Sequence, residues 1–228
     1  MSNQEPATTL VAAPDTAVDH DRILAPSRLL LVRHGESTWN AGRRIQGQLD
    51  PPLSDRGLAQ AAEVGERMAG HRLAGFYASD LLRTRQTADV IAAALGTGME
   101  PVLDPGLREI ALGAWEGKTR EELMAEYPEL WEQWAREPDW DLVPAGEGAA
   151  PFAARVHSAL DRIREEHPHG DVLIVTHGGV IQVALLGVVG QASRGLFPFL
   201  IENCSLTVIQ RTARRTVVTA VNDTCHLT

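Results

Sequence analysis

Two apolar runs along the chain each end at a histidine that is followed by glycine. Leu29-Leu30-Leu31-Val32 leads directly into Arg33-His34-Gly35, and a second run over 171–176 leads into His177-Gly178-Gly179. Uninterrupted apolar runs predict strands that are covered on both faces, as in a parallel sheet. Because ligand sites in α/β proteins lie beyond the carboxyl ends of such strands, we expect both imidazoles at one edge of a single sheet.

Elsewhere, short apolar runs alternate with stretches of helical periodicity. The pattern predicts a helix over 55–70 capped by Ser54, a helix over 81–95 capped by Ser79 or Asp80 and ended by Gly96, and further helices over 148–167 and 180–187. The other predicted strands are 76–78, 100–103 and a closing hairpin of 205–210 with 216–221. This order predicts an α/β fold with three layers, in which a mostly parallel sheet has helices on both faces.

Two segments fall outside this alternation. Residues 1–26 are rich in Ala, Thr, Pro and Asp without periodicity, which predicts a disordered tail before one domain over 27–228. Residues 114–147 contain four of the five tryptophans and many helix formers, and we interpret them as a helical cap inserted over the edge of the sheet. The tryptophans either form a partly apolar roof for a ligand or pack the cap onto the sheet.

Composition narrows the possible partners and the location. The net charge of −9 and the pI near 5.3 argue against a nucleic acid or an anionic membrane surface as partner. No apolar stretch has the length of a membrane span, and the first 25 residues lack a secretory signal pattern, so we expect a cytoplasmic protein. Cys204 and Cys225 have no metal-binding spacing, and we expect both to be reduced thiols.

Several separated motifs occur in one order along the chain. They are Arg33-His34-Gly35-Glu36-Ser37-Thr38-Trp39-Asn40, Gln46-Gly47 with Asp50 and Leu53-Ser54, Ser79-Asp80-Leu81 with Arg83 and Gln86-Thr87-Ala88, Leu107-Arg108-Glu109 with Gly113 and Trp115-Glu116-Gly117, and Thr176-His177-Gly178-Gly179. Over about 28–221 this pattern resembles the histidine phosphatase superfamily, which has the phosphoglycerate mutase-like fold. The resemblance implies that His34 is the nucleophile and that Glu109 is the general acid.

The residue types support the same chemistry. A neutral imidazole is a good nucleophile near neutral pH, and its attack on a phosphoester would form a phosphohistidine. Arg33 and Arg83 are the cations that would hold the charge of the transferring phosphoryl group, and His177 would complete the clamp if protonated or donate one hydrogen bond if neutral. Departure of an alkoxide requires an acid, for which Glu36 is the competitor of Glu109. The family resemblance implies that a glutamate at the position of Glu36 is not the acid, so we interpret Glu36 as a structural or supporting residue.

Further groups are candidates for holding phosphate or substrate. We expect hydrogen bonds to the ligand from Asn40 and Gln46 and from the backbones of Gly47 and Gly178, although Asn40 is equally suited to capping a helix. We expect no metal and no other cofactor, because clusters of acidic residues that would hold magnesium are absent from the predicted strand ends.

The family resemblance leaves three functions open. We expect a phosphatase acting on a small phosphorylated metabolite, because 116–147 contains only three basic residues against ten acidic ones and would repel the second anionic group of a bisphosphate. A phosphoglycerate mutase and a catalytically silent phosphate-binding module are the alternatives. The apolar run over 196–201 predicts either a core strand, which we favour, or a contact in a possible homodimer.

Overall fold

The computed structural model describes residues 26–195, 197–212 and 214–227. The predicted tail therefore lies outside the described residues except for Pro26. Seven helices and six strands are formed in the described part. The strands are β1 (Ser27–Arg33), β2 (Leu73–Ala78), β3 (Val102–Leu103), β4 (Gly170–Thr176), β5 (Leu206–Arg211) and β6 (Thr216–Asp223). The helices are α1 (Thr38–Ala41), α2 (Asp55–Met68), α3 (Leu82–Leu95), α4 (Arg120–Glu126), α5 (Pro128–Arg136), α6 (Ala149–Glu166) and α7 (Gly178–Val188).

All six strands form one sheet in the order β3-β2-β4-β1-β5-β6. The first four of these strands pair in parallel, whereas β5 pairs antiparallel with β1 and with β6. The α/β fold and the mostly parallel sheet that the sequence predicts are confirmed, as is the closing hairpin. Because β1 and β4 are adjacent and in register from Ser27 with Gly170 to Arg33 with Thr176, their carboxyl ends lie side by side.

The central strands bury side chains on both faces, as their uninterrupted apolar runs predict. On β1, Leu29 and Leu31 pack into a core with α6, α7 and the cap segment, whereas Leu30 and Val32 pack into a second core with α2 and α3. The period of two in strand side chains sends neighbouring residues to opposite faces. The sheet is therefore the middle of three layers.

The start of α3 differs from the sequence prediction. The sequence predicts a cap from Ser79 or Asp80, but the helix begins after Leu81, whose side chain makes no capping hydrogen bond. Asp80 instead pairs with Arg108 through two hydrogen bonds of 2.7 and 2.6 Å, and Ser79 faces the site described below. The end of α3 is as predicted, because Gly96 adopts the left-handed conformation that glycine tolerates best.

The prediction of a core strand within 196–201 is wrong for the described residues 197–201. The Phe197 side chain is half exposed, and Leu200 is 70% exposed. Carbonyls in this segment accept hydrogen bonds from side chains rather than from a neighbouring strand: Gln182 donates to Phe199, and Arg33 donates to Ile201. Only Ile201 is buried, and Phe199 packs against the edge of the core.

The segment that we interpret as a cap contains α4, α5 and short 3-10 turns at Gly113–Trp115 and Trp140–Leu142. Its tryptophans form a chain of ring contacts, with centroid distances of 5.0 Å from Trp115 to Trp134 and 5.0 Å from Trp134 to Trp140. Trp115 and Trp140 are buried in the core shared with α6 and α7, so they pack the segment onto the body of the protein. Among the helices described, none combines the length and apolar character needed to cross a bilayer.

Candidate active site

Two imidazoles meet at the adjacent carboxyl ends of β1 and β4. His34 follows β1 directly, its backbone N–H donates to the Thr176 carbonyl at 2.9 Å, and His177 follows β4. The two ring centroids are 5.2 Å apart, and the ring planes meet at 62°. This distance is short enough for both rings to contact one tetrahedral oxyanion. Both side chains are at most 2% exposed.

A backbone carbonyl fixes the tautomer of His34. Nδ1 lies 2.7 Å from the carbonyl oxygen of Gly35, and because a carbonyl only accepts, the hydrogen must be on Nδ1. Burial, together with the charges of Arg83 and Arg33, lowers the pKa of His34 well below its ordinary value. The ring is therefore neutral at physiological pH and has its lone pair on Nε2. The sequence contained no signal for this acceptor, since every residue has a carbonyl.

His177 occupies the N-cap position of α7 without a capping hydrogen bond from its side chain, and its Nε2 lies 2.9 Å from the hydroxyl oxygen of Ser79. Burial and the charge of Arg83 lower the pKa of His177 well below its ordinary value, so it too is neutral. Its Nδ1 is buried and has no hydrogen-bond partner within the described ranges. Sequence reasoning missed the contact with Ser79, although the Ser-Asp-Leu motif that follows β2 contained the residue.

Arg83, in the first turn of α3, is 1% exposed. Its two terminal nitrogens donate to the carbonyls of Leu49 and Gly47 at 2.9 and 2.8 Å, which holds the loop that contains Gln46. Its Nε is buried and lacks a partner among the residues described. Burial lowers the pKa of Arg83 to about 10, so the guanidinium stays charged at physiological pH.

Arg33 is the second buried cation. One terminal nitrogen donates to the Ile201 carbonyl at 2.6 Å, and Nε is buried without a partner in the described part of the chain. Its guanidinium lies close to Gly178, the first residue of α7, where an added Cβ would be 3.7 Å from Nε. Burial also lowers the pKa of Arg33. The site therefore has two arginines with unused donors, an arrangement suited to an anion.

Glu109 approaches from the loop after β3, and its carboxylate accepts hydrogen bonds from the backbone N–H groups of Ile110 at 3.0 Å and Gly179 at 3.1 Å. The second of these places it at the N-terminus of α7. A Cβ at Gly179 would overlap the carboxylate, so a larger residue there would displace the Glu109 side chain from this position. Glu36 is oriented differently, because it accepts hydrogen bonds from Ser54 at 2.8 Å and Arg56 at 3.3 Å around the start of α2. This arrangement favours our interpretation of Glu36 as structural.

The predicted substrate-binding amides are held by their oxygen atoms. Asn40 Oδ1 accepts from the backbone and the hydroxyl of Ser37, both at 3.1 Å, in a capping box of α1. Gln46 Oε1 lies 2.7 Å from the same hydroxyl, whose single hydrogen is shared between the two amide oxygens. Asn40 thus has the capping role that the sequence left open, and both side chains keep their NH2 groups as possible donors to a ligand.

Gly47 and Gly178 contribute backbone rather than side chains. Gly47 adopts a φ of 52°, and a Cβ there would overlap the carboxylate of Glu116, which also accepts from the Gln48 N–H at 2.9 Å. The Gly47 carbonyl accepts a hydrogen bond from Arg83. Gly178 is the first residue of α7, where backbone N–H groups lack helical partners and favour anions. The catalytic and binding roles of all these residues remain predictions.

Away from this site, one group of side chains among the described residues converges closely enough to hold a metal ion, namely Asp223, Cys225 and His226. Arg67 donates hydrogen bonds to Asp223 and His226 and contacts the Cys225 sulfur. The guanidinium thus occupies the position that would otherwise suit a cation, which accounts for the convergence.

The chain is similar to known proteins over most of its length. Residues 29–224 match the model of the histidine phosphatase superfamily (branch 1). Phosphoserine phosphatase 1 of Hydrogenobacter thermophilus is 36% identical over 200 residues, covering 88% of this chain and 94% of the relative. The probable phosphoglycerate mutase GpmB of Yersinia pestis is 37% identical over 208 residues with the same coverage of both chains.

Solved structures have the same fold. YhfR of Bacillus stearothermophilus superimposes with a TM-score of 0.79 at 32% identity, covering 89% of this chain and all of that one. A phosphoserine phosphatase variant from Entamoeba histolytica, crystallised with phosphoserine, gives a TM-score of 0.77 at 28% identity, with the same coverage.

The protein belongs to the histidine phosphatase superfamily. The phosphatases among its relatives further support a phosphoric monoester hydrolase of this family.

Proposed function

We propose that this protein is a metal-independent phosphatase that hydrolyses small phosphomonoesters through a covalent phosphohistidine. The hydrogen bond from His34 Nδ1 to the Gly35 carbonyl supports this most directly, because it leaves a lone pair on Nε2 for attack on phosphorus. The unpartnered Nε atoms of Arg33 and Arg83 supply donors for the phosphoryl oxygens in the same small space.

In the first step, His34 Nε2 attacks phosphorus, a P–N bond forms, and the bond between phosphorus and the ester oxygen breaks. Glu109, in its protonated form, gives its proton to that oxygen, so that an alcohol departs rather than an alkoxide. Such a proton transfer contributes about 10²- to 10⁴-fold to the rate. The two arginines balance the negative charge that spreads over the three equatorial oxygens.

In the second step, the Glu109 carboxylate removes a proton from water, and the water oxygen attacks phosphorus. The P–N bond breaks, its electron pair returns to His34 Nε2, and inorganic phosphate leaves. Neutral His177 supports both steps if its hydrogen is on Nδ1, which has no partner among the described atoms and can donate to phosphate, while Nε2 accepts from Ser79. The NH2 groups of Asn40 and Gln46 and the backbones of Gly47 and Gly178 supply further donors.

The charges of the cap segment favour hydrolysis over a bisphosphate-dependent mutase reaction. Its three basic residues are already engaged: Lys118 pairs with Glu126 at 2.5 Å, Arg136 pairs with Glu132 at 2.8 Å, and Arg120 lies over the ring of Trp131. A second phosphate group would therefore meet an acidic segment in which two of the three cations are already ion-paired and the third lies against a tryptophan ring.

The substrate is proposed only as a class. A relative that is 36% identical is named a phosphoserine phosphatase, and a similar structure contains phosphoserine, which supports small alkyl phosphomonoesters as substrates. A screen of purified metabolite phosphates, with phosphate release as the readout, would identify the best substrate by its kcat/KM.

Hydrolysis of p-nitrophenyl phosphate in the presence of a chelator tests this proposal. We expect full turnover with the chelator, and rapid quenching with radiolabelled phosphoserine should trap a protein-bound phosphoryl group that is labile in acid and stable in base, as phosphoramidates are. Loss of activity on chelation, or turnover without this adduct, would contradict the mechanism. Isomerisation of 3-phosphoglycerate with a bisphosphate primer, faster than phosphate release, would instead assign the protein to the mutases.

A further inference from the structure

An arginine on α6 holds the backbone of the loop that contains Glu109. Arg155 donates to three carbonyl oxygens of this loop, those of Gly106 at 3.2 Å, Arg108 at 2.6 Å and Glu109 at 2.8 Å. This loop has no strand partner after β3, and only the 3-10 turn at Pro105–Leu107 is regular. The guanidinium therefore takes the place that a neighbouring strand would have in ordering the backbone.

Glu147 orients this guanidinium from the other side. Its carboxylate accepts from Arg155 Nε at 2.5 Å and from Nη2 at 2.8 Å, a two-point contact that fixes the plane of the guanidinium. The same carboxylate accepts from the Ala111 N–H at 3.2 Å, and the Glu147 N–H donates to the Ala111 carbonyl at 2.9 Å. Arg155 and Glu147 thus form hydrogen bonds with the backbone both before and after Glu109.

The side chains of Arg155 and Glu147 are 23% and 16% exposed, so their ion pair is partly shielded from water. Surface ion pairs are usually worth little, but a partly buried pair with several additional hydrogen bonds is a stronger constraint. Neither residue belongs to the motifs that carry the family resemblance. Their contacts join segments that are 36 to 47 residues apart in sequence.

We propose that Arg155, oriented by Glu147, is a positioning residue that sets the place of the Glu109 carboxyl group relative to the leaving-group oxygen. This inference rests on the proposed phosphatase mechanism, in which Glu109 is the acid. The carboxyl group is held by two backbone N–H groups, and one of them, that of Ile110, belongs to the loop that Arg155 orders. A small displacement of this loop would therefore move the acid without touching His34 or the two phosphate-binding arginines.

The leaving group gives a readout that a general loss of structure would not change. Departure of p-nitrophenolate needs little protonation, whereas departure of the phosphoserine alkoxide needs the acid. We expect Arg155→Met to lower kcat/KM for phosphoserine about 10- to 100-fold more than for p-nitrophenyl phosphate, in line with the cost of misplacing a catalytic group by about 1 Å. Glu109→Gln provides the benchmark, with the same selectivity and a larger loss.

Two more conservative variants distinguish a loss of positioning from a loss of folding. Glu147→Gln keeps the size of the side chain but weakens the orientation of Arg155, and Arg155→Lys keeps the charge but cannot reach three carbonyls and a carboxylate together. Both should show a smaller selective loss for phosphoserine. Arg162→Met is the matched control, because Arg162 lies on the same helix and pairs with Asp104 at 2.5 Å, just before the same loop. It should change the two substrates equally and only slightly.

The outcomes separate this inference from the proposed function. If the wild-type protein does not hydrolyse p-nitrophenyl phosphate, the phosphatase mechanism fails. If it does, and the Arg155 and Glu147 variants that keep the wild-type circular dichroism spectrum lose both substrates equally or lose neither, the positioning role is wrong. The same holds if Arg162→Met reproduces the selectivity of Arg155→Met.

Discussion

Strand β1 has an arginine near each end, and the two differ in whether a carboxylate pairs with the guanidinium. Near the amino end, Arg28 forms two hydrogen bonds with Asp171 on the neighbouring strand, at 2.6 and 2.5 Å, and His71 contacts the same carboxylate at 2.8 Å. At the carboxyl end, Arg33 is more deeply buried but has no ion pair with any of the residues described. The hydrogen bond with Asp171 raises the pKa of Arg28, whereas burial lowers the pKa of Arg33.

This difference separates a charge with a structural partner from charges that are left for the proposed function. An unpaired buried cation costs stability, and proteins usually neutralise it as the amino edge of this sheet does. At the carboxyl edge, Arg33, Arg83 and His177 instead each keep a buried polar atom that has no partner among the described residues. A phosphoryl dianion would supply the missing partner. The cost of burying these groups, which folding does not offset at this edge, would then be offset when the phosphoryl group binds.

The largest expected contrast is between removing an imidazole at the carboxyl edge and removing one at the amino edge. His34→Ala should lower kcat by on the order of 10⁵-fold or more, because the proposed covalent step loses its nucleophile. His71→Ala, at the amino edge, should leave kcat and KM for p-nitrophenyl phosphate unchanged. Steady-state kinetics with both variants, checked for folding by circular dichroism, measures the contrast. Appreciable turnover by His34→Ala would refute its assigned role.

The two arginines of β1 provide a second contrast, of smaller size. Arg33→Met should cost about 3 kcal/mol of transition-state stabilisation, roughly a hundredfold in kcat/KM, by analogy with loss of a preorganised oxyanion donor. Arg28→Met should leave kcat/KM unchanged and lower the free energy of unfolding by about 1 kcal/mol, since its side chain is partly exposed. Urea denaturation and initial rates give the two numbers for each variant. Equal effects on activity would remove the distinction between the edges.

The parts of the site that the sequence predicted are those with a local signature. An apolar run that stops at Arg-His-Gly locates His34 and Arg33 at a strand end, and the same reasoning locates His177. Glu109 and Arg83 came with the family motifs, since a carboxylate in a loop or an arginine on a helix has no distinctive local pattern. The outline of the fold followed from alternating periodicity alone.

The remaining features depend on contacts between distant segments. Ser79 was expected to cap a helix but contacts His177, 98 residues away, and Arg155 reaches Glu109 across 46 residues. The run over 196–201 is apolar enough for a core strand, but the carbonyls of Phe199 and Ile201 accept hydrogen bonds from the side chains of Gln182 and Arg33. No single-sequence pattern contains such pairings, because each partner is chosen by the packing of separate elements.

The smallest expected effect is a difference in the pH at which the two edges lose stability. Burial lowers the pKa values of His34 and His177 below 6.5, so the unfolded chain binds protons that the folded protein excludes. Stability should therefore be constant with respect to these groups above pH 6.5 and fall below it, by about 1.4 kcal/mol per pH unit for each histidine. At the amino edge, burial opposes ionisation of Asp171, but hydrogen bonds from Arg28 and His71 prevail and lower its pKa. Its contribution is therefore retained until the pH falls below about 3.8.

Urea unfolding at pH 7.5, 6.5 and 5.5 covers the pH range in which the histidines should change stability and in which Asp171 should remain ionised. The His34→Gln, His177→Gln double variant has no titrating imidazole at the carboxyl edge, so its stability should depend less on pH between 6.5 and 5.5 than that of the wild-type protein. Asp171→Asn should lower stability at all three pH values, because Asp171 is ionised throughout this range and pairs with Arg28. If the double variant keeps the wild-type pH dependence, the folded protein does not hold the two histidines in their neutral form. The carboxyl edge would then lack the uncompensated burial cost that distinguishes it from the amino edge.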